Sequence, residues 1–215
     1  MTCPATNPTH EPSASLQAPP PLDSAMSGCL PQSSSDPSLH AGGDRRLLAA
    51  SKEILLQGCA LLGELSPTLY AEKVPEVFNA SIGAHYRHCL DHFASLLDGL
   101  ETQRVDYDDR ARDPQLEKNP ELAQAMTLHL LRRLELLPPG SLASPVSVRS
   151  EVSYDDESAP VTRSTLGREL AYAIAHSIHH YALISVIARL LQVPLPSNFG
   201  IAPSTVTHLQ TVAGH

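Results

Sequence analysis

The sequence predicts an all-α protein built as a four-helix bundle. Three observations predict it: four stretches in which apolar residues recur at three- and four-residue steps, prolines that stop them, and histidine clusters on the second and fourth stretches.

The first helix is predicted from Asp44 to Leu65, where Leu47, Leu48, Ile54, Leu55, Leu61, Leu62 and Leu65 keep the helical period up to Ser66-Pro67. The second runs from about Asn79 to Leu100, with Ile82, Leu90, Phe93, Leu97 and Leu100 on a common face. Asn119-Pro120-Glu121 reads as a cap and first turn for the third, which carries Leu122, Met126, Leu130, Leu134 and Leu137 to Pro138-Pro139. The fourth starts near Ser164 or Thr165 and continues to about Gln192, because Pro194 and Pro196 cannot continue it.

Two connections are long. Glu101–Asn119 exceeds what antiparallel neighbours need, so it is expected to cross an end of the bundle and leave helices two and three parallel. In Gly140–Arg163 the alternation of Val146, Val148, Val152 and Tyr154 predicts a short strand or hairpin over one bundle end. Residues 195–205 are expected to be ordered irregular chain, with Phe199 and Ile201 against the helices.

Composition narrows the function. A net charge of -8 and a pI near 5.7 argue against a general nucleic-acid binder, which needs clustered Lys and Arg to displace counterions. Residues 1–43 are rich in Pro, Ser and Gly and are expected to be a disordered tail, leaving 44–215 as the folded domain. The tail has neither the basic start and apolar run of a secretory signal nor the arginines of a transit peptide. No apolar stretch approaches the ~20 uninterrupted residues of a membrane span. Cys3, Cys29, Cys59 and Cys89 show no CxxC spacing, which fits a reduced, cytoplasmic setting.

The histidines carry most of the functional signal. Six of the eleven fall in two short stretches, His85, His88 and His92 on the second helix and His176, His179 and His180 on the fourth. At ~100° per residue, His176 and His180 lie ~40° apart around the axis and one turn apart along it, so both can face one ion. They share their face with Ala173, Leu183, Ile184, Ile187 and Leu191, so they project from the core stripe. Buried imidazoles need partners, and a divalent metal is one. His85, His88 and His92 occupy a ~60° sector flanking the apolar stripe of helix two, and helical phase alone places His85 nearest it. His179 lies ~60° off the stripe, and His129, His208 and His215 read as surface residues.

These residues carry a resemblance. Ser81-Ile82-Gly83 followed by His88, then a long crossover, then His176-x-x-x-His180, resembles the DinB-like superfamily of four-helix metalloproteins, over roughly residues 45 to 203. The resemblance implies an up-down-down-up bundle whose ligands, carried over by position, are His88, His176 and His180. Family register thus selects His88 where phase selects His85, and leaves His85 and His92 to support the ligands or face substrate. The runs Ile82–His92, Tyr107–Arg112 and Phe199–Ser204 resemble a subgroup with no assigned activity.

Three neutral imidazoles leave a divalent ion its full charge and an open position, as in catalytic rather than closed structural sites. An ion so held can activate water or a thiol. The resemblance favours the thiol, because characterised relatives include thiol-dependent transferases and isomerases. Zinc or nickel suits the donors, and iron is admitted. The expected function is a metal-dependent transferase or hydrolase, with a small molecule or low-molecular-weight thiol as partner, monomer and homodimer both left open, and neither nucleic acid nor membrane. The alternatives are a non-catalytic, metal-binding or stress-associated bundle, and a metal-free interaction module recognised through the disordered tail.

Outside the histidines, Asp106, Asp108, Asp109, Arg110 and Arg112 are either a lid with substrate contacts or Arg–Asp pairs pinning the loop, and Glu117 is placed to orient an arginine. Cys89 beside His88 reads as a small core residue before it reads as a nucleophile. A catalytic Ser-His-Asp pattern, a phosphate-cradling glycine loop and a Glu-x-x-His di-iron signature are absent.

Overall fold

Capping side chains set the starts of the principal helices where the sequence marks them. The computed structural model describes residues 37–155 and 158–213. Helix α1 spans Pro37–Leu62. It begins before Asp44, so the expected boundary at residue 43 falls inside it; residues 1–36 of the expected tail, with Cys3 and Cys29, lie outside the described residues. A short helix, α2 (Pro67–Ala71), follows, with Ser66 Oγ accepting from the Leu69 amide. Helix α3 (Ile82–Asp98) starts three residues after Asn79, because Phe78 and Asn79 take left-handed φ values of 52° and 54° and Ser81 Oγ caps the Ala84 amide. Helix α4 (Pro120–Glu135) is capped by Asn119 Oδ1, and α5 (Leu166–Leu190) by Thr165 Oγ1.

α3 packs against α4 and α5, and α1 packs against the same two helices. Four helices meet at a pair of tyrosines. The Tyr86 and Tyr181 rings stack at 6.2 Å, the Tyr86 hydroxyl pairs with Thr127 Oγ1 at 2.8 Å, and Tyr181 donates to the Ile54 carbonyl at 3.0 Å. Both hydroxyls press on α1 at Gly58, where a Cβ would collide with them.

The all-α expectation is corrected by a sheet. Strands β1 (Arg104–Asp106), β2 (Pro145–Arg149) and β3 (Val161–Thr165) lie in that order, β1 parallel to β2 and β2 antiparallel to β3. The β2–β3 pair is the expected hairpin, although Val152 and Tyr154 are exposed and unpaired. β1 comes from the crossover and is too short to show a period. Val105, Val146 and Val148 bury one face of the sheet, and the Tyr107 amide donates to the Arg149 carbonyl at 3.0 Å, so the crossover is anchored beside α3 and α5.

After α5 the chain turns at Gln192 (φ 58°) and folds back. Phe199 stacks on Tyr181 at 4.4 Å, while Ile201 is 41 % exposed, so of these two only Phe199 enters the core. The irregular chain expected through Thr205 stops at Ala202, because a helix unmarked by the sequence pattern, α6 (Pro203–Ala213), begins there; it buries none of its residues. Among the described residues α5 alone is long and apolar enough, by length and composition, to cross a membrane; its buried face packs on α1 and α3 as the core helix of a bundle does.

Candidate metal centre

Helical spacing puts five imidazoles at the α3–α5 contact. On α3, His85, His88 and His92 step along one flank; on α5, His176 and His180 sit one turn apart, opposite them. One ring nitrogen from each of His88, His176 and His180 lies within 4.8 Å of the others, a group that could hold a metal ion. His88 Nε2 is 2.9 Å from His176 Nε2, and His85 Nδ1 is 2.9 Å from His180 Nδ1. Family register and helical phase thus select different jobs: His88 joins the three-nitrogen group, and His85 stands behind His180. His92 is the most enclosed of the five at 4 % exposed, its ring centroid 4.2 Å from that of His176. His179, His129 and His208 are exposed, and His215 lies outside the described residues.

The environment keeps the imidazoles neutral. Burial, then the neighbouring imidazoles and Arg110, push His88 down from 6.5 to about 2. Burial pushes His92 and His180 down to about 3, assisted first by His176 in both cases. His85 and His176 are lowered as well, again chiefly by burial. Neutral rings carry the lone pairs that a cation requires. Two ring nitrogens, His85 Nε2 and His92 Nδ1, are buried without a hydrogen-bond partner among the described residues.

The crossover supplies the second layer. Arg110 Nη1 donates to His88 Nδ1 at 2.7 Å and to His92 Nε2 at 3.0 Å. Of the two roles expected for the acidic and basic run, Asp106 and Arg112 take the pinning one. Asp106 accepts from the Asp108 and Asp109 amides and pairs with Arg149, and Arg112 donates to the Asp108 carbonyl. Arg110 alone reaches the histidines. Glu117 does orient an arginine: Arg87 Nε donates to it at 2.8 Å, and Arg87 also pairs with the buried Asp91. A backbone contact holds this arrangement, since Gly83 on α3 meets the Glu117 carbonyl where no Cβ would fit. Cys89 is 1 % exposed and burial pushes its thiol up to about 12, which places it with the core residues and disfavours the thiolate.

Beyond His92 the cluster continues into Tyr107, Tyr172 and Glu169, which the sequence reasoning passed over. The His92 and Tyr107 rings are 4.9 Å apart, Tyr172 stacks on His176 at 5.4 Å, and the Tyr107 hydroxyl donates to Glu169 Oε2 at 3.0 Å. Glu169 is 7 % exposed and also accepts from Ser164 Oγ at 2.6 Å. A signal for Glu169 existed: it falls seven residues before His176, on the stripe that carries the histidine pair.

A cavity of about 600 Å³ touches this cluster at Asp91 and Arg110 and includes none of the three imidazoles; Arg104, Asp109, Met126 and His129 contribute to its other walls.

Comparisons with known proteins agree with the fold. A crystal structure of a DinB-like protein, YjoA of Bacillus subtilis, superposes with a TM-score of 0.55 at 17 % identity, covering 72 % of this chain and 98 % of that one. A Rhizopus delemar protein named FK506-binding protein 5 is 33 % identical over 106 residues, which is 49 % of this chain and 28 % of that protein; this chain therefore matches under a third of that relative's length. The family model described as the DinB superfamily matches residues 59–184, a span that contains His88, His176 and His180. By that match, the chain belongs to the DinB superfamily.

Proposed function

We propose that the chain is a divalent-metal-dependent enzyme whose ion is held by His88, His176 and His180, and that it acts on a small molecule as a thiol-dependent transferase or a hydrolase. The observation that carries the reading is the convergence of three neutral ring nitrogens from two helices within 4.8 Å. Three imidazoles match zinc or nickel best, with iron as the other choice. The rest of the reading is that one domain begins at α1, at Pro37 rather than at residue 44, that α1, α3, α4 and α5 run up-down-down-up, and that the protein works in the cytoplasm, as a monomer or homodimer, without nucleic acid or membrane.

Bound there, a divalent ion supplies Lewis-acid activation of a thiol or of water. The chain's residues do the positioning. His180 Nδ1 and His85 Nδ1 lie 2.9 Å apart; with His180 as the donor, its ring is held and Nε2 is the nitrogen left to bind the ion. His85 then carries its proton on Nε2. Tyr107, held by Glu169, and Tyr172 wall the side beyond His92 and His176 and exclude water there. The reduced setting agrees with the free thiols of Cys59 and Cys89.

The test is spectroscopic. Cobalt-loaded protein titrated with 2-mercaptoethanol gains a thiolate-to-cobalt charge-transfer band if the ion keeps an open position for a thiol. A spectrum that stays unchanged by thiol and by small anions would support a closed site that only ties α3 to α5, and would end the enzyme reading.

A further inference from the structure

Arg110 is a cation resting on bases. No carboxylate among the described residues lies within 4.0 Å of its guanidinium, because Asp91, the acidic neighbour that most affects it, is already paired with Arg87. It is held by two neutral imidazoles, and its Nε is buried with no partner. Arginine has no lone pair to offer, so both imidazoles must accept. That fixes the protons on His88: Nδ1 receives the Arg110 hydrogen bond, Nε2 bears the ring's hydrogen, and Nε2 donates to His176.

In that state His88 has no lone pair left for a metal. A ligand through Nε2 requires the proton to move to Nδ1, and Nδ1–H cannot accept from Arg110. A ligand through Nδ1 takes Arg110's place directly. By either route, an ion on His88 and a guanidinium on His88 exclude one another.

We propose that Arg110 is an exchangeable cation of this site: a metal ion displaces it from His88, and the released guanidinium then binds an anionic group, a carboxylate being the class that fits, on the small molecule presented to the ion. This rests on the metal-site reading above and adds the ligand class to it. Loss of the His88 contact frees one Nη1 hydrogen while the other stays on His92 Nε2, and the freed N–H can make a charge-assisted hydrogen bond to one carboxylate oxygen. Arg110 also lines the 600 Å³ cavity, so a ligand there can reach it without crossing the bundle core. Asp91, Asp98, Asp106, Asp109 and Asp113 line the same cavity against Arg104 and Arg110, so anion binding there depends on the Arg110 charge, to which the nearby Arg112 adds.

The test uses the full chain. Zinc affinity is measured by chelator competition for wild type, Arg110→Met and Arg110→Lys, and acetate is titrated into the cobalt-loaded forms. Displacement predicts that Arg110→Met binds zinc about tenfold more tightly, the equivalent of one charge-assisted hydrogen bond no longer competing, with Arg110→Lys in between. It also predicts acetate binding about tenfold weaker in Arg110→Met than in wild type. Long-range proton–nitrogen spectra of metal-free wild type should show His88 protonated at Nε2, with zinc moving the proton or removing the Arg110 contact. Removing a charge alone would raise zinc affinity without setting that tautomer. Unchanged or weaker zinc binding in Arg110→Met, unchanged acetate binding, or a metal-free His88 protonated at Nδ1 each overturns the proposal while leaving the metal site intact. Wild type that takes up no zinc would instead remove the metal-site reading itself, and this proposal with it. If Arg110→Met does not fold, the lysine variant and the wild-type tautomer still decide.

Discussion

His88 Nε2 and His176 Nε2, from residues 88 positions apart in the chain, lie 2.9 Å from each other. No local interaction produces that contact. It exists because α3 and α5 pack face to face, and it brings a ring that family register selects into reach of a pair that helical phase selects.

The supporting role of His85 gives an ordering. His88→Ala or His176→Ala removes a proposed ligand and is expected to lower zinc affinity by more than about a hundredfold, whereas His85→Ala removes only the acceptor behind His180 and should lower it about tenfold. Chelator competition on the three variants checks this. A larger loss at His85 than at His88 would mean that phase, not register, chooses the ligand on α3.

Stability of the metal-free protein should fall in mild acid. His85, His88, His92, His176 and His180 all have folded values below 6.5, with His88 near 2 and His92 and His180 near 3. A ring depressed in the folded state takes up a proton more readily when unfolded, so its contribution is complete above about pH 6.5 and is lost as pH drops toward the folded values. The urea midpoint of chelator-treated protein at about pH 5 is therefore expected below that at about pH 7.5. Equal midpoints would show that the five rings are solvated in solution.

Gly58 tests the tyrosine junction. Gly58→Ala places a methyl against the Tyr86 and Tyr181 hydroxyls and forces one of them off Thr127 or the Ile54 carbonyl, a change expected to cost about 1–3 kcal/mol. Denaturant unfolding measures it. No loss would mean that α1 sits farther from α3 and α5 than described.

Cys89 should be inert and Cys59 less so. Cys89 is 1 % exposed with its thiol pushed up to about 12 by burial, and Cys59 is half-buried with a smaller upward push from the same cause. Native-state alkylation followed by peptide mapping is expected to label Cys59 well before Cys89. Early labelling of Cys89 would reopen a nucleophilic role beside His88.

Much of this was legible in the sequence because it is local. Proline stops, the Asn119 and Thr165 caps and the apolar period marked α1, α3, α4 and α5 to within a few residues at most ends, and the four-residue step of His176 and His180 placed both on one stripe. β1 was not legible, since Arg104–Asp106 is too short to alternate and forms only because β2 offers it a partner. α6 buries none of its residues, so it left no apolar stripe to find. Arg110 stood in a run flagged for either pinning or contact, but its reach to His88 and His92 depends on where the sheet anchors the crossover. The burial of His92 has the same origin, because Tyr107 arrives over it from that loop.

The account stands on one ion shared by His88, His176 and His180, and zinc analysis of purified protein after loading, beside His88→Ala and His176→Ala, tests it most directly. It predicts about one equivalent per chain in the wild type, with each variant losing its zinc to a chelator that the wild type resists. Less than about a tenth of an equivalent in the wild type, or the same retention in all three proteins, would contradict it.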